Sequence, residues 1–172
     1  KITENKMKPF LFVALDDLAG KEAETLEVAR QLSSIEGDFG FKVNLDYLLN
    51  PEKGLKATIG SVQQFGRPVF SDLKMWNGTR TMISVIENLA AVGVDYLNVY
   101  TLAENLLPKA IRATEGTKTK ILGLTVLTHF NEAYCQKHFR RSLPETVRHF
   151  AEVAIEAGCH GVILPGTALE VV

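Results

Sequence analysis

Cysteine is scarce in this chain: 172 residues contain two, Cys135 and Cys159, too far apart in sequence for C-x-x-C zinc or redox spacing. Both are expected to be idle thiols in a reducing cytosol. No apolar run approaches the ~20 residues of a membrane span. Excess charge is also missing. Nineteen Lys and Arg against 20 Asp and Glu leave a formal net charge of −1, which argues against general affinity for nucleic acid or an anionic membrane. Any anionic ligand must then be held by a local site. The polar stretch Lys1–Lys8 lacks the apolar centre of a signal peptide and reads as a frayed lead-in, so a cytoplasmic location is expected. There is no Gly-x-Gly-x-x-Gly after the first apolar run, which weakens a dinucleotide-binding reading. No linker or low-complexity segment interrupts residues 1–172, so one domain is expected.

What is present is alternation. Short apolar runs at Phe10–Leu15, Phe39–Val43, Pro68–Lys74, Tyr96–Tyr100, Lys120–Leu127 and Gly161–Leu164 read as strands. The first reads as buried on both faces. Helical patterns fall between them, at Lys21–Leu32, Leu55–Phe65, Thr79–Ala91, Ala103–Ala113 and Pro144–Ala157. Gly66 and Gly93 stand as stops. A polar, basic loop is expected ahead of Pro144. Six strand–helix units in strict order imply parallel strands with right-handed crossovers, either an open doubly wound sheet or a (β/α)8 barrel.

Polar residues gather where these strands end: Asp16, Lys42, Asp72, Lys74 and Thr128. In a barrel those ends share the rim on which active sites form. Alternate residues of a strand point to one side, so Asp72 and Lys74 are expected to face the interior together. Charges in apolar strands are costly unless paired, and a tolerated salt bridge is the plain alternative. Lys42, at the matching level of an earlier strand, favours a purposeful Lys–Asp–Lys array.

The run Phe70-Ser-Asp72-Leu-Lys74, followed by Asn77 and Thr81, resembles the D-x-K-x-x-D…T signature of the orotidine 5'-phosphate decarboxylase family. Val13-Ala-Leu-Asp16, Phe41-Lys-Val43, Leu97-Asn-Val-Tyr100, Leu124-Thr-Val-Leu-Thr128 and Ala157-Gly-Cys-His-Gly-Val162 resemble its other strands, in order. The resemblance implies a (β/α)8 barrel and cofactor-free, metal-free loss of CO2 from orotidine 5'-monophosphate to give UMP. It implies Lys74 as proton donor, Asp72 beside the departing carboxylate, and Lys42 orienting Asp72 and reaching the ribose. Asp16 would accept from ribose hydroxyls. Thr128 would read the pyrimidine edge where the family usually has a serine. It also implies a homodimer in which Asn77 and Thr81 reach the neighbouring site.

Two departures stand out. Asn77 replaces the family's second aspartate, so Lys74 loses part of the negative field around it and weakened catalysis is expected. A (β/α)8 barrel typically needs ~250 residues, and the pattern here stops after strand six. Strands seven and eight, with the family's phosphate grip, are therefore expected to be absent, as in a fragment. Alternatives remain open: an Mg2+-dependent relative such as 3-keto-L-gulonate 6-phosphate decarboxylase or hexulose-6-phosphate synthase, or a weakened nucleotide-binding homologue. Around the site, His138, Arg140 and Arg141 read as a solvated loop or a mobile lid, and His129 as a ligand or rim residue. Trp76 reads as packing or dimer interface, and Tyr100 as site floor or core. Asp17, Asp46 and Asp95 read as turn or capping residues.

Overall fold

A computed structural model describes residues 10–74 and 76–171. The lead-in expected over Lys1–Lys8 lies outside the described residues. Two compact units, Lys1–Phe70 and Ser71–Val172, divide the chain inside strand β3 (Val69–Asp72).

The first unit runs β1 (Leu11–Ala14), α1 (Glu22–Ser33), β2 (Phe39–Asn44), α2 (Leu45–Leu48), α3 (Leu55–Gln63) and the start of β3. β1 and β2 are parallel, with Val13 opposite Phe41 and Ala14 opposite Lys42. Leu15, Ala29, Phe41, Val43, Tyr47, Ile59 and Val62 are buried and supply the core. Gly40 is needed where β2 passes the lead-in to β3: a Cβ there would lie 2.5 Å from the Pro68 carbonyl oxygen and 2.7 Å from the Phe12 ring. Arg67 stacks its guanidinium 4.1 Å over Phe39 and donates to the carbonyls of Ser33, Ile35 and Gly37, satisfying groups left over at the end of α1. A polar knot ties the helices: the Tyr47 hydroxyl donates to Glu22 at 2.8 Å and meets Ser61 at 2.6 Å, while Lys53 donates to Glu22 at 2.5 Å.

The expectation that the first strand is buried on both faces fails. Leu11 is 64% exposed and Phe10 45%, because β1 stands at the end of the strand order and has β2 as its pairing partner. Val28 and Ile35, on and just after α1, are exposed as well.

The second unit continues with α4 (Thr79–Ala91), β4 (Tyr96–Tyr100), a 3-10 turn (Thr101–Leu106), α5 (Leu107–Arg112), β5 (Lys120–Leu124), α6 (Glu132–Phe139), α7 (Leu143–Glu156), β6 (Gly161–Ile163) and a final 3-10 turn (Gly166–Val171). β4 pairs in parallel with β5, and β5 with β6. Gly123 of β5 packs directly on α7; a Cβ there would meet the Ala154 Cβ at 2.5 Å. The helix expected at Ala103–Ala113 is split, its first part a tighter turn and its second opening with Pro108 in the first positions of α5. β5 is shorter than expected. Its regular ladder ends at Leu124, although the Thr125 amide and hydroxyl still donate to the Ile163 carbonyl.

The expected basic loop before Pro144 is largely helix α6. Asn131 caps it by accepting from the Tyr134 amide at 2.9 Å, and Arg140 closes it in a left-handed conformation at φ 58°. Cys135 and Phe139 turn toward α7, where Phe139 meets Phe150 edge to face. Ser142 and Glu145 then cap α7 reciprocally. Both cysteines are free, and burial pushes the Cys159 thiol up to about 11 and raises that of Cys135, so neither forms a reactive thiolate at neutral pH. Among the described residues no helix is long and apolar enough to cross a membrane.

Candidate active site

The two units each carry one polar cluster at strand ends. In the first, Lys42 leaves β2 and donates from Nζ to Asp16 at 2.8 Å and to the Asn44 side-chain oxygen at 2.6 Å. Asn44 returns a bond from its Nδ2 to the same Asp16 oxygen at 2.9 Å. The lysine side chain is largely covered and the aspartate is open to solvent. The result is a carboxylate fixed by two donors, with an ammonium already neutralising it.

In the second unit, Asp72 is buried at the end of β3 and Lys74 Nζ is ion-paired to its Oδ2. The two side chains meet as expected, but not by strand alternation. β3 ends at Asp72, and Lys74 has a left-handed backbone at φ 42°, which side chains with a Cβ rarely adopt. The turn is held by Asn98 of β4. Its Oδ1 accepts from the Leu73 amide at 2.9 Å and the Lys74 amide at 3.0 Å, while its Nδ2 donates to Asp72 Oδ1 at 2.6 Å. Asn98 is fully buried.

Tyr100, two residues further along β4, is half-buried; its phenol is pushed above its ordinary value by burial, then by the nearby Asp72 carboxylate and Tyr134. Tyr134 belongs to α6 and stacks on Phe130 at 4.0 Å, so the helix that replaces the expected loop contributes an aromatic wall near Tyr100. His129 contacts Phe130 edge to face, and His138 lies against Tyr134 at 4.3 Å. Arg140 and Arg141 are exposed.

The other expected site residues lie in open segments. Asn77 is exposed and accepts from the Gly78 amide at 2.7 Å, which shapes the entry to α4. Trp76 is exposed beside it, and Thr81 is exposed on the first turn of α4. Thr128 is exposed in the turn after β5. Asp46 accepts from the Tyr47 amide at the start of α2 and Asp95 pairs with Lys118, in keeping with local roles. Asn44 and Asn98 escaped the sequence reading. The one signal for Asn98 is a neutral amide between Leu97 and Val99 in an otherwise apolar strand. Among the described residues, no three His, Cys, Asp or Glu side chains gather as a metal site would require.

Comparison with known proteins agrees with this architecture. The chain is 31% identical over 132 residues to the orotidine 5'-phosphate decarboxylase of Streptococcus pneumoniae strain Hungary19A-6, an alignment spanning 76% of this chain and 54% of the relative. It thus spans about half the length of the curated relatives it matches. Among solved structures, an uncharacterized conserved protein from Geobacillus kaustophilus superposes with a TM-score of 0.75 at 28% identity, covering 91% of this chain and 73% of that one. Orotidine 5'-phosphate decarboxylase from Lactobacillus acidophilus superposes with a TM-score of 0.71 at 25% identity, covering 92% and 71%. The fold class is therefore α/β of the (β/α)8-barrel type, with six parallel strands and alternating helices among the described residues. The profile of the Orotidine 5'-phosphate decarboxylase / HUMPS family matches residues 9–171, and the chain belongs to that family.

Proposed function

We propose that this chain carries the carboxylate–ammonium machinery of an enzyme that decarboxylates orotidine 5'-monophosphate to UMP. The observation that carries the reading is the Asp72–Lys74 pair, held at a strand end by a buried amide. Heterolysis of the bond between C6 and the carboxylate releases CO2 and leaves the electron pair on C6. A proton passes from the Lys74 ammonium to C6, and water reprotonates the lysine. Positive charge fixed beside C6 is worth most where it need not reorganise as the carbanion forms. Asp72, beside the departing carboxylate, disfavours the bound ground state. In this reading Lys42 orients Asp72 and reaches the ribose, and Asp16 accepts from the ribose hydroxyls. Thr128 reads the pyrimidine edge, and Asn77 and Thr81 act from a second copy of the chain in a homodimer.

A cytoplasmic setting and independence of added cofactor go with this reading. The Mg2+-dependent relatives are a weaker fit at the first cluster, because Lys42 already neutralises Asp16, where a cation would compete. A nucleotide-binding homologue with feeble turnover is the second reading, and it is favoured by one feature: Asn77 brings no charge to the exposed loop.

The test is the loss of orotidine monophosphate absorbance, with and without chelator. The wild type should consume substrate in chelator, and Lys74→Ala should abolish turnover. Full activity in Lys74→Ala would refute the mechanism, and UMP binding with no CO2 release would select the second reading. Asn77→Asp should raise kcat if a second carboxylate near Lys74 matters; an unchanged rate would count against the role given to residue 77.

A further inference from the structure

We propose that Asn98 is a positioning residue of the Asp72–Lys74 pair, helping to set the side-chain geometry of the acid and holding the backbone turn that aims the lysine. The inference rests on the decarboxylase reading for its kinetic consequence, but its structural basis stands apart from it.

The amide of Asn98 has its orientation decided by its neighbours. Two backbone N–H groups, of Leu73 and Lys74, point at one atom of its side chain, so that atom must be the oxygen. The nitrogen is thereby turned to Asp72, where it donates to Oδ1 at 2.6 Å. Oδ2 of the same carboxylate is left to Lys74. Oδ1 thus meets Asn98 and Oδ2 meets Lys74, so Asn98 is one of the groups that orient the carboxylate. The same oxygen that receives both amides also stabilises the left-handed backbone of Lys74, a conformation disfavoured for a residue with a Cβ.

A bland core role explains less. Asn98 is fully buried in a strand whose flanking residues, Leu97 and Val99, are fully buried and apolar. An apolar side chain of similar size could fill that volume without a desolvation cost. The amide is accounted for by three bonds that all converge on residues 72–74. A carboxylate at position 98 would still accept both amides, yet could face Asp72 only by taking up a proton that the two carboxyls share.

The experiment combines steady-state kinetics with amide hydrogen exchange by NMR on the intact chain and the variants Asn98→Ala and Asn98→Asp. Asn98→Ala should lower kcat about 100-fold, the cost of a misplacement near 1 Å, with KM within about threefold. Its Leu73 and Lys74 amides should exchange about tenfold faster, having lost their acceptor. In Asn98→Asp the ratio of variant to wild-type kcat should climb as pH falls, because the protonated form restores the donor to Asp72. A purely structural role would leave that ratio flat, and a flat ratio overturns the proposal. So does unchanged exchange at residues 73 and 74. If Asn98→Ala does not fold, a through-hydrogen-bond coupling from Asn98 Cγ to the Leu73 and Lys74 amide nitrogens can be sought in the unaltered chain, and its absence overturns the geometry. Should the wild type fail to consume orotidine monophosphate, the decarboxylase reading falls, while exchange and coupling still decide the role of Asn98.

Discussion

Glu22 ties α1 to α2 through Tyr47 and to the turn ahead of α3 through Lys53, and the same bonds make it sensitive to acid. The hydrogen bond from Lys53, then that from Tyr47, keeps its carboxyl below the usual carboxylate range despite some opposing burial. A carboxyl with a lowered folded value contributes stability that is complete above its unfolded value, ~4.3, and is lost as pH falls through the lowered one. Glu22→Gln should therefore be less stable than wild type at pH 7, by a urea-midpoint gap that closes as pH drops below ~4. A gap that stays constant from pH 7 to pH 3 would mean that the charge is irrelevant to the knot. Legibility at this scale follows charge. The Asp72–Lys74 pair could be anticipated because ions in apolar strands demand partners, whereas the bond from Lys42 to Asp16 was not among the expectations. Asn44 and Asn98 could not, since a neutral amide carries no such demand and its value lies in where its oxygen and nitrogen point.

The strand–helix alternation was readable from apolar periodicity, and the starts and stops of α4 and α7 fall within a residue of the expected ones. α6 was not readable. Its buried face amounts to little more than Cys135 and Phe139, and its sequence is polar enough to pass for a loop. The local clues were Asn131 at the cap and Glu132 in the first turn. The Lys74 turn was misread for a different reason: alternation describes a strand, and the strand stops at Asp72, so a distant amide sets the direction of the lysine. α6 also offers a test of its own ending. Arg140 occupies a left-handed position that costs a Cβ-bearing residue ~1 kcal/mol, and glycine carries no such cost. Arg140→Gly should raise stability by up to about 1 kcal/mol in thermal or urea denaturation. A loss of stability would show that the guanidinium contributes more than the conformation costs.

At the scale of the whole molecule, the order of the units leaves an open sheet and a barrel both possible, and the family match over residues 9–171, with the likeness to solved structures, decides for the barrel-type fold. What that order conceals is how each strand is covered. β1 reads like an interior strand, yet it is the first of the described strands, and its Leu11 and the adjoining Phe10 are exposed, as are Val28 and Ile35 in the same unit. An apolar edge strand is a template for association. Light scattering should therefore detect growing particle mass as the protein is concentrated, and Leu11→Lys should suppress it without moving the denaturation midpoint by more than ~0.5 kcal/mol. Particle mass independent of concentration in the wild type would remove the edge from consideration. If the edge does govern association, yield and shelf life of this 172-residue chain are set by stickiness and not by folding strength. Hardening the interior would then do nothing for a preparation that clouds, whereas one lysine on the rim would.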